Sequence, residues 1–208
     1  MFDKFKRIIP KISEKLKSKE KPANSEQIKE EVLPCVVYKH LSNGPEYRNA
    51  SIISKLWYLR TKLDWFDDIA MSNNITADSM CEMLDEIIEE LGRLAYSRKD
   101  MNDTIALLNI QHQVIGYNMQ YKGELDHDED FFDVQVDGNG SIYEQIWGLR
   151  YMFDCACVVD NNEIHADVIG WLKSLVVSVE GEDAEAIKKM LKQVKDEKRK
   201  CFFRNLGH

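Results

Sequence analysis

Two stretches of this chain resemble each other, and this internal likeness constrains the fold more than any other feature. Residues 51–64 read SIISKLWYLRTKLD and residues 141–154 read SIYEQIWGLRYMFD, so Ser, Ile, Trp, Leu, Arg and Asp coincide without a gap. With a one-residue shift, NNITAD at 73–78 then matches NEIHAD at 162–167. A match of this density between two parts of one chain is not expected by chance. We therefore predict an internal duplication with a period of about 90 residues.

Each copy has the same predicted plan of three helices. A serine opens the first helix in both copies, and Ser141 has Glu144 three residues on, which completes a capping box. Apolar residues then recur at alternating four- and three-residue spacing, which buries one stripe of this helix. Ser79, with Glu82 as its capping partner, is the predicted start of the second helix. The second and third helices are predicted over 79–96 and 100–120 in the first copy, and over 166–179 and 183–201 in the second.

The predicted fold is mainly α, with two related three-helix units packed as one pseudo-twofold helical domain. One such unit is small for independent stability, so we expect the two to share a core. The short β-branched stretches at 36–40 and 134–136 could pair as a minor two-stranded β ribbon. We divide the chain into a basic N-terminal arm (1–20), a linker with a short extended segment (21–45), a first repeat (46–122), an acidic loop (123–140) and a second repeat (141–208).

Charge is distributed unevenly between the arm and the rest of the chain. Residues 1–20 hold seven basic and three acidic residues, a net +4, so the remainder of this −8 chain carries −12. The arm also has an amphipathic helical pattern, which Pro10 interrupts. Its candidate partner-binding residues are Phe2, Phe5, Ile8 and Ile9. We favour a protein target over membrane contact through residues 1–17, because Pro10 breaks the continuous helix that would lie in a lipid interface.

Each predicted first helix carries a tryptophan, an arginine and an aspartate at positions i, i+3 and i+7. They are Trp57, Arg60 and Asp64 in the first copy and Trp147, Arg150 and Asp154 in the second. An arginine at this spacing can stack on the tryptophan ring of its own helix and reach the aspartate one turn on. We favour a structural clasp. The alternative is a pair of equivalent partner-binding sites, formed by Trp57, Arg60, Trp147 and Arg150.

A group of acidic residues suggests a second, catalytic alternative. Its members are Asp64, Asp67, Glu82, Asp85, Glu86 and Glu89. The pattern Asp64-x-x-Asp67, fourteen residues, then Glu82-x-x-Asp85 is similar to the carboxylate pairs of the all-α nucleotide pyrophosphohydrolases, although Asp64 and Asp67 stand where that family has Glu. The resemblance implies Mg²⁺ held against a nucleotide triphosphate. We favour a solvated helix face instead, with carboxylates that point into solvent and share no common focus.

The acidic loop contains a partial calcium-binding pattern. Asp126, Asp128, Asp130 and Asp137 take positions one, three, five and twelve of an EF-hand-like loop. Position six, which should be Gly for the sharp turn, is Phe131, and Asp137 is shorter than the bidentate Glu expected at position twelve. We therefore favour a solvated linker over a Ca²⁺ site.

Other sequence features argue against some classes of function and indicate the cellular compartment. The acidic body argues against direct nucleic-acid binding, and we find no Gly-rich phosphate loop, nucleophile elbow or zinc-protease motif. Five cysteines in no metal-ligand array favour a reducing, cytoplasmic compartment. Cys155 and Cys157 should point to different sides of a helix, and His165 could fill a capping site at a helix start.

The function predicted from these features is a non-enzymatic protein-binding module: a regulator, inhibitor or assembly component. Its partner would be a protein with a basic surface or a second copy of the chain, and no cofactor is expected. The alternatives are a Mg²⁺-dependent nucleotide pyrophosphohydrolase-like enzyme and a peripheral membrane protein anchored by the arm. Ca²⁺ would be bound only if the acidic loop were a calcium site.

Overall fold

The computed structural model describes residues 45–72, 77–124, 140–159 and 161–206, and these are mainly helical, as predicted. Within these ranges, a single helical turn, Pro45–Arg48, precedes six long helices. The arm residues Phe2, Phe5, Ile8 and Ile9, the two stretches of the predicted ribbon, and Asp126, Asp128, Asp130 and Asp137 lie outside the described residues. The long helices are α1 (Ile52–Ser72), α2 (Ala77–Tyr96), α3 (Met101–Tyr121), α4 (Ile142–Val159), α5 (Asn162–Ser178) and α6 (Gly181–Leu206).

The serines predicted to open α1 and α4 do so through hydrogen bonds to the first helical turn. Ser51 Oγ accepts from the Ser54 amide at 3.2 Å, and Ser141 Oγ accepts from the Glu144 amide at 3.3 Å. Glu144 Oε2 in turn accepts from the Ser141 amide at 3.0 Å. The capping box predicted at Ser141 is therefore confirmed, because both partners satisfy backbone donors that the helix itself cannot pair.

Two helix starts differ from the prediction. The second helix begins at Ala77, so Ser79 lies within its first turn and is not the cap. α5 begins at Asn162, four residues before the predicted start, because the side chain of Asn161 accepts from the Glu163 and Ile164 amides at 3.0 and 3.3 Å. Asparagine is among the best N-cap residues, and this local signal prevails over the repeat alignment.

The helices share one hydrophobic core, in which α1 and α4 are the central pair. α2 packs mainly on α3, and α5 mainly on α6, while α1 and α4 lie side by side between them. The Trp57 ring stacks on Phe153 of α4, with centroids 6.2 Å apart and planes 17° apart. Trp57 Nε1 also donates to Gln193 of α6 at 3.1 Å. The buried apolar cluster runs from Tyr47 to Val194 and includes residues of all six long helices.

Candidate functional site

Two arginine–aspartate ion pairs lie between the central helices. We call Arg60, Asp64, Arg150 and Asp154 the arginine–aspartate core. On α1, Arg60 Nε donates to Asp64 at 3.0 Å, and Arg60 Nη2 lies 2.7 Å from the other carboxylate oxygen. On α4, Nε and Nη2 of Arg150 donate to the two oxygens of Asp154 at 2.7 and 2.6 Å. Each arginine thus reaches the aspartate one turn on, as the i, i+4 spacing predicts.

Each arginine stacks on a tryptophan of the opposite helix. Cζ of Arg60 lies 5.2 Å from the centroid of the Trp147 ring, and Cζ of Arg150 lies 5.1 Å from that of Trp57. The prediction that each arginine would stack on the tryptophan of its own helix is therefore wrong. Because α1 and α4 pack side by side, a ring of the neighbouring helix covers each guanidinium, and the two cation–π contacts tie the helices together.

Burial governs the electrostatics of this core. Burial raises the pKa of Asp154 well above its usual range; Arg150 opposes the increase, and the charge and hydrogen bond of Asp64 add to it. Cys155 lies in the same region, and burial raises the pKa of its thiol to about 12, although a hydrogen bond with Tyr151 lowers it. Cys155 is therefore an uncharged thiol at neutral pH and lacks the thiolate that nucleophilic attack requires.

The four residues of the two predicted partner-binding sites are buried. Arg60 and Arg150 are 1% and 5% exposed, and Trp57 and Trp147 are 6% and 0% exposed. They therefore present no surface to a partner in this fold, because the α1–α4 packing covers them. Their geometry instead suits the clasp, since removing one partner of a buried ion pair leaves an uncompensated charge.

The carboxylates considered as metal ligands divide between two places. Arg60 holds Asp64 in the core, where the Asp64 side chain is 11% exposed, so the expectation that it points into solvent is wrong. The carboxylates on α2 are exposed: Glu82, Asp85, Glu86 and Glu89. The side chain of Asp67 lies outside the part of the chain that the structure describes. Over the described ranges, no three His, Cys, Asp or Glu residues form a group that could hold a metal ion.

We call Glu82, Asp85, Glu86 and Glu89 the acidic face of α2. Lys62 of α1 pairs with Glu86 at 2.9 Å, and Asp85 accepts from Asn118 at 2.6 Å and lies 3.6 Å from Lys122 Nζ. Even so, the side chains of Glu86 and Asp85 remain 69% and 55% exposed. Neighbouring bases thus neutralise this face only in part, and it stays available to a cationic surface.

A histidine–cysteine contact joins α4 to α5, and it was not predicted from the sequence. Nδ1 of the buried His165 lies 3.1 Å from the carbonyl oxygen of Asn161, and Nε2 lies 3.5 Å from Cys157 Sγ. A proton on Nδ1 donates to that carbonyl and leaves Nε2 to accept from the thiol. The ring packs edge-on against Phe153 inside the core. Cys157 and His165 are only eight residues apart in the sequence, on either side of the helix boundary that Asn161 marks. This short separation is the sequence signal from which the contact could have been predicted.

A polar cavity of about 360 Å³ opens between the start of α1, the α2–α3 connection and the start of α6. Its arginine, Arg98, is bound to Asp103 at 3.1 Å, and the Tyr143 hydroxyl donates to the same carboxylate at 3.3 Å. Burial, followed by the charge of Asp103, raises the pKa of Tyr143 to about 12, so its hydroxyl stays neutral. Glu180, Glu182 and Asp183 complete a lining that is acidic overall.

Comparison with known protein families, curated proteins and solved structures finds no match to this chain. None of the helices in the described ranges combines the length and apolar character needed to cross a membrane.

Proposed function

We propose that this chain is a non-enzymatic protein-binding module of the reducing cytoplasm, whose acidic helical body docks on a protein partner with a basic surface. The acidic face of α2 carries the proposal, because its carboxylates line one exposed side of a helix. Complementary charge at such a face speeds association and selects against acidic competitors. The arm, with its opposite charge, would serve as a second docking element.

We also propose that the two halves of the body arose by duplication and pack about a pseudo-twofold axis. Three observations support this: the two serine caps are alike, the ion pairs recur at equal spacing, and each arginine lies over the other half's tryptophan. A crystal structure tests the proposal. Residues 51–121 should superpose on 141–203 with three helices in the same order and hand, and a different order would contradict it.

A nucleotide hydrolase has less support, since it requires Asp64 to join the α2 carboxylates around one metal ion. Arg60 engages Asp64 instead, in a pair that is almost closed to solvent. Magnesium-dependent hydrolysis of nucleoside triphosphates by the purified protein, lost in Glu86→Gln, would reverse this preference.

The docking proposal is tested with two variants of equal charge change. The first neutralises the acidic face of α2 by Glu82→Gln, Asp85→Asn, Glu86→Gln and Glu89→Gln. The matched control neutralises four exposed acids elsewhere, by Glu163→Gln, Glu180→Gln, Glu182→Gln and Glu185→Gln. Proteins captured from the native host are identified by mass spectrometry, purified and titrated against each form.

A partner of the proposed kind binds the wild type and the control with similar affinity. It binds the α2 variant more weakly, and added salt weakens its binding to the wild type. Equal binding to all three forms, or a partner that lacks a basic surface, would contradict the proposal.

A further inference from the structure

One side of α3 is mostly apolar and faces away from the core. Met101, Ile105 and Leu108 are 70%, 49% and 36% exposed. The stripe continues through the exposed His112 and the half-buried Ile115 and Met119. These residues follow one another at spacings of four, three, four, three and four, which keeps them on one side of the helix. We call this set the outer face of α3: Met101, Ile105, Leu108, His112, Ile115 and Met119.

Over the described ranges, the packing of α3 against the other helices leaves Met101, Ile105 and Leu108 of this face exposed. The opposite side of α3 already supplies the core, through buried residues that include Leu107, Ile110, Val114 and Tyr117. A surface helix of a globular protein normally carries one apolar stripe and one polar side, whereas α3 carries apolar residues on both. A second stripe with alternating four- and three-residue spacing is the pattern by which a helix packs against another helix.

The charge of the outer face indicates what covers it. From Thr104 to Tyr121 the sequence contains no Asp, Glu, Lys or Arg, although 31% of the chain is charged. A chain of net charge −8 repels its own copies wherever acidic surfaces meet, so an uncharged face is where they can approach. The N-terminal arm, with its net +4, is attracted instead to acidic surfaces such as that of α2.

The order of residues along the outer face is nearly the same in both directions. Read forward it is Met, Ile, Leu, His, Ile, Met, and read backward it is Met, Ile, His, Leu, Ile, Met. A two-fold axis beside position 110 would therefore set Met101 against Met119 of a second copy and Ile105 against its Ile115. Leu108 would meet His112 of the second copy. Such a self-complementary patch is what an isologous dimer requires.

We propose that two copies of this chain associate through antiparallel packing of their α3 helices, outer face against outer face. The dimer does not involve the acidic face of α2. The variant in which that face is neutralised should therefore remain dimeric, which separates this proposal from the docking function.

Sedimentation equilibrium over about 1–100 μM, the range of affinity expected of a modest interface, tests the dimer. The wild type should be a dimer at the upper end. Ile105→Glu with Leu108→Glu should be a monomer throughout, with an unchanged helical circular dichroism spectrum. Val177→Glu is the matched control, because Val177 is 87% exposed on α5, outside the proposed interface, and this variant should behave as wild type.

A gain of affinity is also expected. His112→Leu replaces a polar group at two symmetric positions, opposite Leu108, and should lower the dissociation constant at least about tenfold, the gain expected from burying one more apolar side chain. A wild type that stays monomeric at the upper concentration would overturn the proposal. So would a dimer that survives both glutamates, or cross-links that join residues 1–20 to α3 within one chain.

Discussion

The two ion pairs of the arginine–aspartate core repeat one contact in different surroundings. The side chains of Arg60 and Asp64 are 1% and 11% exposed, whereas those of Arg150 and Asp154 are 6% and 22% exposed. Besides Trp147, Arg60 lies 4.5 Å from the centroid of the Tyr151 ring. The first pair is thus the more enclosed, although the Trp, Arg and Asp spacing is the same in both helices.

Residues that differ between the two repeats explain why the two ion pairs differ in exposure. Tyr151 occupies the position that matches Thr61, so only α4 offers a second large ring at that place. Arg150 instead lies 4.9 Å from the centroid of Phe153 on its own helix. A repeated motif therefore fixes which groups form a pair, while the unrepeated residues beside it decide how far that pair is removed from water.

The largest effect is expected at the more enclosed pair. Arg60→Met should lower the free energy of unfolding by about 3–5 kcal/mol, because it leaves the Asp64 carboxylate buried without its cation. Urea denaturation measures the change. The double variant Arg60→Met with Asp64→Leu should regain at least half of the loss, since no unpaired charge remains. A single variant within about 1 kcal/mol of the wild type would refute the clasp.

A smaller loss is expected at the second pair. Arg150→Met should cost about 3 kcal/mol, the lower end of the range for breaking a buried pair. Asp154 keeps more contact with water than Asp64, and its raised pKa allows it to take up a proton when its cation is removed. The same denaturation experiment compares the two variants. A loss equal to or greater than that of Arg60→Met would mean that the difference in exposure has no energetic consequence.

The raised pKa of Asp154 gives a pH dependence of known sign. The folded state holds this proton more tightly than the unfolded state, so its contribution is fully present below the ordinary pKa of 3.8 and is lost as the pH rises through the folded pKa. Asp154→Asn cannot ionise, and its stability relative to wild type should improve with increasing pH, by at most about 1.4 kcal/mol per unit. Urea denaturation of both proteins from about pH 3 upward, where carboxyl groups titrate, measures this change in relative stability. A stability difference between Asp154→Asn and the wild type that does not vary with pH would contradict the prediction.

The smallest effect distinguishes the two tryptophans. Trp57→Phe removes the hydrogen bond from Nε1 to Gln193, whereas Nε1 of Trp147 is buried with no hydrogen-bond acceptor among the described residues. Trp57→Phe should therefore destabilise the protein by about 1 kcal/mol more than Trp147→Phe, the usual net value of one hydrogen bond. Thermal denaturation measured by calorimetry can resolve this difference in stability. The reverse order would show that ring packing outweighs the polar contact.

Most of the helical architecture was predictable, because its signals are local. The capping box at Ser141 is read directly from a serine and a glutamate that satisfy nearby amides. The predicted start of α5 is wrong because Asn161, a strong local capping signal, begins the helix four residues earlier. The contact between Cys157 and His165 was also missed, since it depends on how two helices meet at their junction.

The sequence by itself determined which groups share a helix face: Arg60 with Asp64, Arg150 with Asp154, and the uncharged stripe along α3. Fixed helical geometry brings residues three and four apart together whatever surrounds them. Only the tertiary structure decided that Arg60 is buried under Trp147, and that Ile105 and Leu108 remain exposed. Periodicity makes a face apolar or charged, but which face meets another helix depends on the packing of all six helices at once.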